Sequence, residues 1–253
     1  MKYIAIRFIL LVAITSGVLG CEGSDRTVEA RAIPATYEGV EVKLIGSVLS
    51  ATHVDKEAAG ILHFLLEKGV DPALYAPMAQ AAADYGWDIF VYGDSDTRLL
   101  KDKYTLERCV VVGGVGKAGA DVFAYGFERR HEGIDGGIIV AGLFDENSGD
   151  EFKGDFSAAT IVASNDRLVP PNSVKNQHRI YPSQTYFLTI NGGNHAGFYP
   201  GLSFDEDGDA EYPAEEQLDT LGKIIHGRLD RFCQTRLKKI AEAERKAARE
   251  AAK

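Results

Sequence analysis

Residues 108–119 read RCVVVGGVGKAG, an apolar run that passes directly into four glycines within seven positions and then into a helical stretch. A run without polar alternation suits a strand buried on both faces, as in a parallel sheet. Glycines at its end suit a tight strand-to-helix turn in which two backbones approach closely. The same rhythm recurs along the chain. Gly39 to Val48 alternates like an early strand, and Gly60 to Leu66 is a second continuous apolar run. Asp71-Pro72 opens a helix that runs through Tyr85 and stops at Gly86, because proline suits a first turn and glycine a C-terminal stop. Further strands are expected over Trp87–Gly93, Gly136–Leu143, Ala158–Ser164 and Tyr186–Ile190, with helices over Lys117–Arg130 and from near Glu215. Strands alternating with helices imply an α/β fold, a mostly parallel sheet with helices on both faces.

The first twenty residues stand apart. Met1 to Arg7 is a short basic start, Phe8 to Ala13 an apolar core, and Val18-Leu19-Gly20-Cys21 a closing motif. A core this short suits an export signal rather than a membrane span. A cysteine after a small residue at the cleavage point resembles the bacterial lipobox, so Cys21 is the expected lipidation site and the chain an exported, lipid-anchored protein of the cell-envelope membrane. Residues 1–20 are read as the lipoprotein signal peptide, 21–37 as a linker, 38–235 as one domain and 236–253 as a charged, solvated helical tail. Net charge is -9, near -11 once Lys2 and Arg7 are removed with the leader, which argues against a nucleic-acid partner. Cys109 and Cys233 are expected as separate buried thiols rather than a disulfide.

The turn at Gly113–Gly119 admits three functional readings. Gly114-x-Gly116-x-x-Gly119 fits a dinucleotide fingerprint, but the ribose-binding acid is badly placed: Asp135 precedes the next strand and Asp145 follows it late. Gly113 to Lys117 resembles a deviant phosphate loop, but Ala118 brings no hydroxyl for Mg²⁺. The third reading is a nucleophile elbow, G-x-S-x-G/A, which needs small residues two before and two after its nucleophile. Gly114 and Ala118 meet that need, and Gly116 stands where the serine belongs.

Downstream segments favour the elbow. Ala163-Ser164-Asn165-Asp166-Arg167-Leu168-Val169-Pro170 follows one strand and Gly192-Gly193-Asn194-His195-Ala196-Gly197-Phe198 follows the last. With Val70-Asp71-Pro72-Ala73-Leu74-Tyr75-Ala76-Pro77 upstream, the chain from about Gly39 to Phe232 resembles the α/β-hydrolase fold-5 family, related to dienelactone-hydrolase-like esterases. That resemblance implies the α/β-hydrolase fold. It implies Gly116 at the nucleophile position, Asp166 as the orienting acid, His195 as the base, and backbone N–H groups of Lys117 and Leu66 as oxyanion donors.

Two parts depart from the pattern together. Gly116 removes the reactive atom, and Leu65-Leu66-Glu67-Lys68-Gly69 replaces the glycine-rich oxyanion stretch of relatives, with Glu67 adding negative charge. The expectation is a catalytically impaired or non-catalytic module with a small ester or acyl-type ligand as its partner. The alternative is ester hydrolysis through a substitute nucleophile served by His195 and Asp166. Lys117 at a helix start is read as solvated, and Ser148 and Ser157 as residues of a surface loop over 145–157. No cofactor and no metal is implied: Asp205 to Asp209 lacks a full calcium-loop pattern.

Overall fold

The computed structural model describes residues 30–101, 108–145 and 152–251. The leader, Cys21 and Ser148 lie outside the described residues. Within them the strands are β1 (Arg31–Ile33), β2 (Val40–Ile45), β3 (Val48–His53), β4 (Gly60–Leu65), β5 (Trp87–Tyr92), β6 (Cys109–Val115), β7 (Gly136–Val140), β8 (Ser157–Ala163) and β9 (Thr185–Ile190). They form one sheet in the order β1-β2-β3-β5-β4-β6-β7-β8-β9, antiparallel from β1 to β5 and parallel from β5 to β9. The continuous apolar runs are the central strands: every residue of β6 and β7 is buried.

Helices α1 (Ala76–Ala83) and α4 (Ala214–Ala251) share one face of the sheet, and α2 (Gly116–Glu128) covers the other; α3 (Pro171–Asn176) is short. The Asp71 side chain accepts the Ala73 N–H at 2.9 Å and starts a 3-10 turn that leads into α1, as the proline signal anticipates. Gly86, at φ +88°, ends the following turn. On α4 the buried residues Leu218, Leu221, Ile225, Leu229, Phe232 and Cys233 make one stripe toward the sheet.

Several expectations are corrected. Arg31–Ile33, within the expected linker, pairs with β2, and the expected single strand over 39–48 is the first arm of a β2–β3 hairpin. β7 stops at Val140 rather than Leu143, because Ala141 turns to φ +47° and Gly142 comes against the Gly116 carbonyl. The expected surface loop over 145–157 buries Phe152 and Phe156, whose rings pack edge-on against Phe123 at 5.2 and 5.5 Å. The expected charged helical tail continues α4. Helix α4 runs unbroken to Ala251, and the Arg236 Nε–H donates to Asp135 Oδ1 at 2.7 Å while Val110 N–H donates to the other carboxylate oxygen at 3.0 Å. Burial pushes the Asp135 carboxyl up, against the pull of these donors.

Cys109 and Cys233 are joined in a disulfide, with their Cα atoms 5.7 Å apart. Both are buried as expected, but they are not separate thiols. Cys109 opens the central strand and Cys233 lies on the inward stripe of α4, so the packing of helix on sheet brings together residues 124 positions apart. Closing so long a loop removes entropy from the unfolded chain, worth roughly 2–5 kcal/mol. A thermal melt in reductant, or of Cys109→Ala/Cys233→Ala, should fall by about 5–15 °C relative to the oxidised protein. Superimposable melts would contradict the stapling role.

Candidate active site

The sheet reverses its winding at β4 and β6: from β4 the chain moves to β5 on one side, and from there crosses to β6 on the other. In open α/β sheets the crevice at the carboxyl ends of such strands is the usual ligand site. Strands β4 and β6 are parallel with Leu65 opposite Gly114. Glu67 and Gly116, each two residues further on, therefore leave the sheet at the same height. Asp166 follows β8 and His195 follows β9 along the same edge.

The elbow is built by glycine. Val115 is extended at φ -106° and Gly116 turns to φ +57°, the left-handed backbone of a sharp strand-to-helix junction. The close approach involves Gly114 and Gly119: a Cβ on Gly119 would overlap the Gly114 carbonyl, and one on Gly114 would lie 3.0 Å from the Gly119 Cα. Ala118 is buried next to them.

The space above Gly116 is taken. A Cβ built on Gly116 would overlap both the Tyr199 hydroxyl and Glu67 Oε1. The Lys117 N–H, the expected oxyanion donor, donates to Glu67 Oε1 at 2.8 Å. The Tyr199 hydroxyl donates to the same carboxylate group. Burial, and then the charges of Glu67 and Asp166, push the Tyr199 phenol well above its ordinary range, so it stands as a donor and not a phenolate. The expected second donor, Leu66, is committed elsewhere: its N–H extends the sheet by donating to the Tyr92 carbonyl at 2.9 Å.

The histidine and the acid do meet. His195 Nδ1 lies 2.9 Å from Asp166 Oδ2, with side-chain exposures of 8% and 0%. Asp166 Oδ1 accepts the N–H groups of Leu168 and Val169 at 2.9 and 2.6 Å. Asp166 thus caps its own turn with one oxygen and orients the imidazole with the other. In the neutral ring, with Nδ1 donating to Asp166, Nε2 carries the lone pair. The His195 ring stacks on Tyr199 and meets Phe204 edge-on, both with centroids 5.0 Å away.

The histidine loop has its own supports. Gln217 accepts the Asn194 N–H at 3.0 Å and donates to the Asn194 carbonyl at 2.9 Å. Asp207 accepts from Ala196 N–H at 2.8 Å with one oxygen and from Gly208 N–H at 2.8 Å with the other. Part of the acidic stretch Asp205–Asp209 therefore positions the histidine loop. Among the described residues no group of three or more His, Cys, Asp or Glu side chains is placed to hold a metal.

A cleft of about 900 Å³ opens above this floor, lined by Glu67, Tyr199 and His195 below and by Leu143, Phe144 and Phe152 among its walls. The Lys117 side chain is 77% exposed and pairs with Asp121 at 2.9 Å, as a solvated lysine should. Ser157 opens β8, at the end of the strand away from the site, so it is no substitute nucleophile. Tyr199 and the precise use of Glu67 escape a reading by motif. Tyr199 is four residues after His195, but only the folded loop carries its hydroxyl over Gly116.

The profile of the alpha/beta hydrolase family matches residues 62–219. No curated protein matches the sequence. Among solved structures the fold is similar to an esterase domain from a Rhodothermus marinus protein, at 9% identity, TM-score 0.51, and 79% and 96% coverage of this chain and that one. It is also similar to a predicted CIB-like hydrolase from Thermoplasma acidophilum, at 13% identity and TM-score 0.50, covering 79% and 99%. A thermophilic esterase from Thermogutta terrifontis gives 12% identity and TM-score 0.50, covering 81% and 99%. At such identities the likeness speaks for the fold. With the family profile spanning more than half of its residues on a sheet of this topology, the chain belongs to the alpha/beta hydrolase family.

Proposed function

We propose that this chain is a hydrolase-family protein that has given up serine-based acyl transfer and uses its cleft to bind a small ligand at the cell envelope. One observation carries the reading. Glu67 and Tyr199 together fill the volume in which a serine side chain on residue 116 would stand, and Glu67 takes the Lys117 N–H on which an acyl oxyanion would rest. The nucleophile and its charge stabilisation are thus replaced by side chains of the protein itself. A triad without its nucleophile has only residual means of catalysis.

Ester hydrolysis through a substitute nucleophile has one group in its favour, the Tyr199 hydroxyl over Gly116. Burial and Glu67 disfavour the phenolate that attack would require, so this reading ranks second.

The direct test is fluorophosphonate labelling with turnover of p-nitrophenyl acetate. Wild type and His195→Ala should be indistinguishable from each other and unlabelled. Labelling or turnover by wild type that is lost in His195→Ala would overturn the proposal. Gly116→Ser alone should stay inert, because its Cβ meets occupied space. Gly116→Ser/Glu67→Gly/Tyr199→Phe clears that space and restores a donor, and should rise at least about 10²-fold above wild type in a His195-dependent manner.

The envelope location rests on the Val18–Cys21 motif. The full-length chain expressed in bacteria should partition into the detergent phase and take up labelled fatty acid, while Cys21→Ser should do neither. Equal partitioning of the two would remove the anchor from the proposal.

A further inference from the structure

The floor of a serine hydrolase offers hydrogen-bond donors to a developing anion. Here the floor has the opposite polarity. The Lys117 N–H and the Tyr199 O–H are both spent on the Glu67 carboxylate. The Leu66 N–H is spent on the sheet. What remains toward the cleft are acceptors. A carboxylate has about four lone-pair sites, so two internal donors leave Glu67 unsaturated. In the neutral imidazole, with Nδ1 donating to Asp166, His195 offers an acceptor lone pair on Nε2. Both residues line the cleft.

The charges around the floor point the same way. Three acids, Glu67, Asp121 and Asp145, line the cleft against two lysines. Lys117 is drawn outward onto Asp121, and Lys68 is exposed on the rim. Among the described residues no cationic side chain forms an ion pair with Glu67. Beside the carboxylate the Tyr199 ring is stacked on His195 and lies at a steep angle to Phe204, so the polar floor is backed by rings. Further out the walls are apolar, with Phe144, Phe152 and Leu168 among them. A ligand that fits brings donors and positive charge at one end and an apolar body at the other.

We infer that the cleft above Gly116 binds amphiphilic primary amines, with the ammonium group on Glu67 and His195 Nε2 and the apolar part along Phe144 and Phe152. The inference rests on the ligand-binding reading of this site and names the class of ligand. It replaces the ester or acyl-type ligand expected from the sequence: a carbonyl or carboxylate would bring acceptors to a floor that already consists of acceptors.

The test is calorimetric titration at neutral pH with three probes of one shape: benzylamine, benzyl alcohol and benzoate. Benzylamine should bind at least about tenfold more tightly than benzyl alcohol, and benzoate should not register. Glu67→Gln keeps the side-chain volume and should weaken benzylamine at least about tenfold, bringing it within about twofold of benzyl alcohol. Glu67→Asp, which retains the charge, should keep the order of preference. Thermal melts of the variants serve to exclude global unfolding. A preference for benzoate, an amine preference that survives Glu67→Gln, or no binding of benzylamine up to about 10 mM would overturn the inference. The first would also return the site to an oxyanion-binding role. The last leaves the non-catalytic reading standing, since that depends on turnover and labelling and not on these titrations.

Discussion

The register of β4 against β6 sets everything at the site. Because Leu65 lies opposite Gly114 in a parallel pair, the residues just beyond each strand emerge level with one another at the sheet's switch point. One of those residues is Gly116, which turns the chain at φ +57° into α2, and the other is Glu67, whose carboxylate reaches across to the Lys117 N–H in the first turn of that helix. A helix N-terminus favours an anion at its open N–H groups. In a working acyl-transfer site that anion is transient and belongs to the substrate. Here it is a permanent part of the protein.

This single contact brings Glu67 against the turn at Gly116. A glycine at position 116 leaves room that a serine would fill, and Glu67 and Tyr199 occupy it. The His195–Asp166 pair, by contrast, is fully supported: the acid also caps its turn, and Gln217 and Asp207 brace the histidine loop. The histidine is thus held in one orientation by Asp166, with Tyr199 stacked against its ring. The floor of the cavity presents the Glu67 carboxylate beside this pair.

Much of this was legible in the chain. The buried strands β4 and β6 are readable as unbroken apolar runs, the elbow as glycines between Val112 and Lys117, and Asp166 and His195 as loop residues after successive strands. What was not legible depends on contacts between distant segments. Cys109 and Cys233 pair because α4 packs across the start of β6, which no local spacing records. Gly114 is pressed between the Leu65 carbonyl and Gly119, contacts across strand and helix that the elbow motif does not name. Leu66 has the right neighbourhood for an oxyanion donor but continues the hydrogen bonding of the sheet. Tyr199 carries no motif at all, and its hydroxyl reaches the elbow only through the turn after His195.

The bond on which this account turns is the one from the Lys117 N–H to Glu67 Oε1, at 2.8 Å. Amide proton NMR reads it directly. In wild type the Lys117 amide should resonate downfield, as a donor to a carboxylate does, and should move upfield in Glu67→Ala while amides of β9 stay in place. A Lys117 amide indifferent to Glu67→Ala would mean that the donor is free for a substrate oxyanion, and the inverted floor described here would not exist.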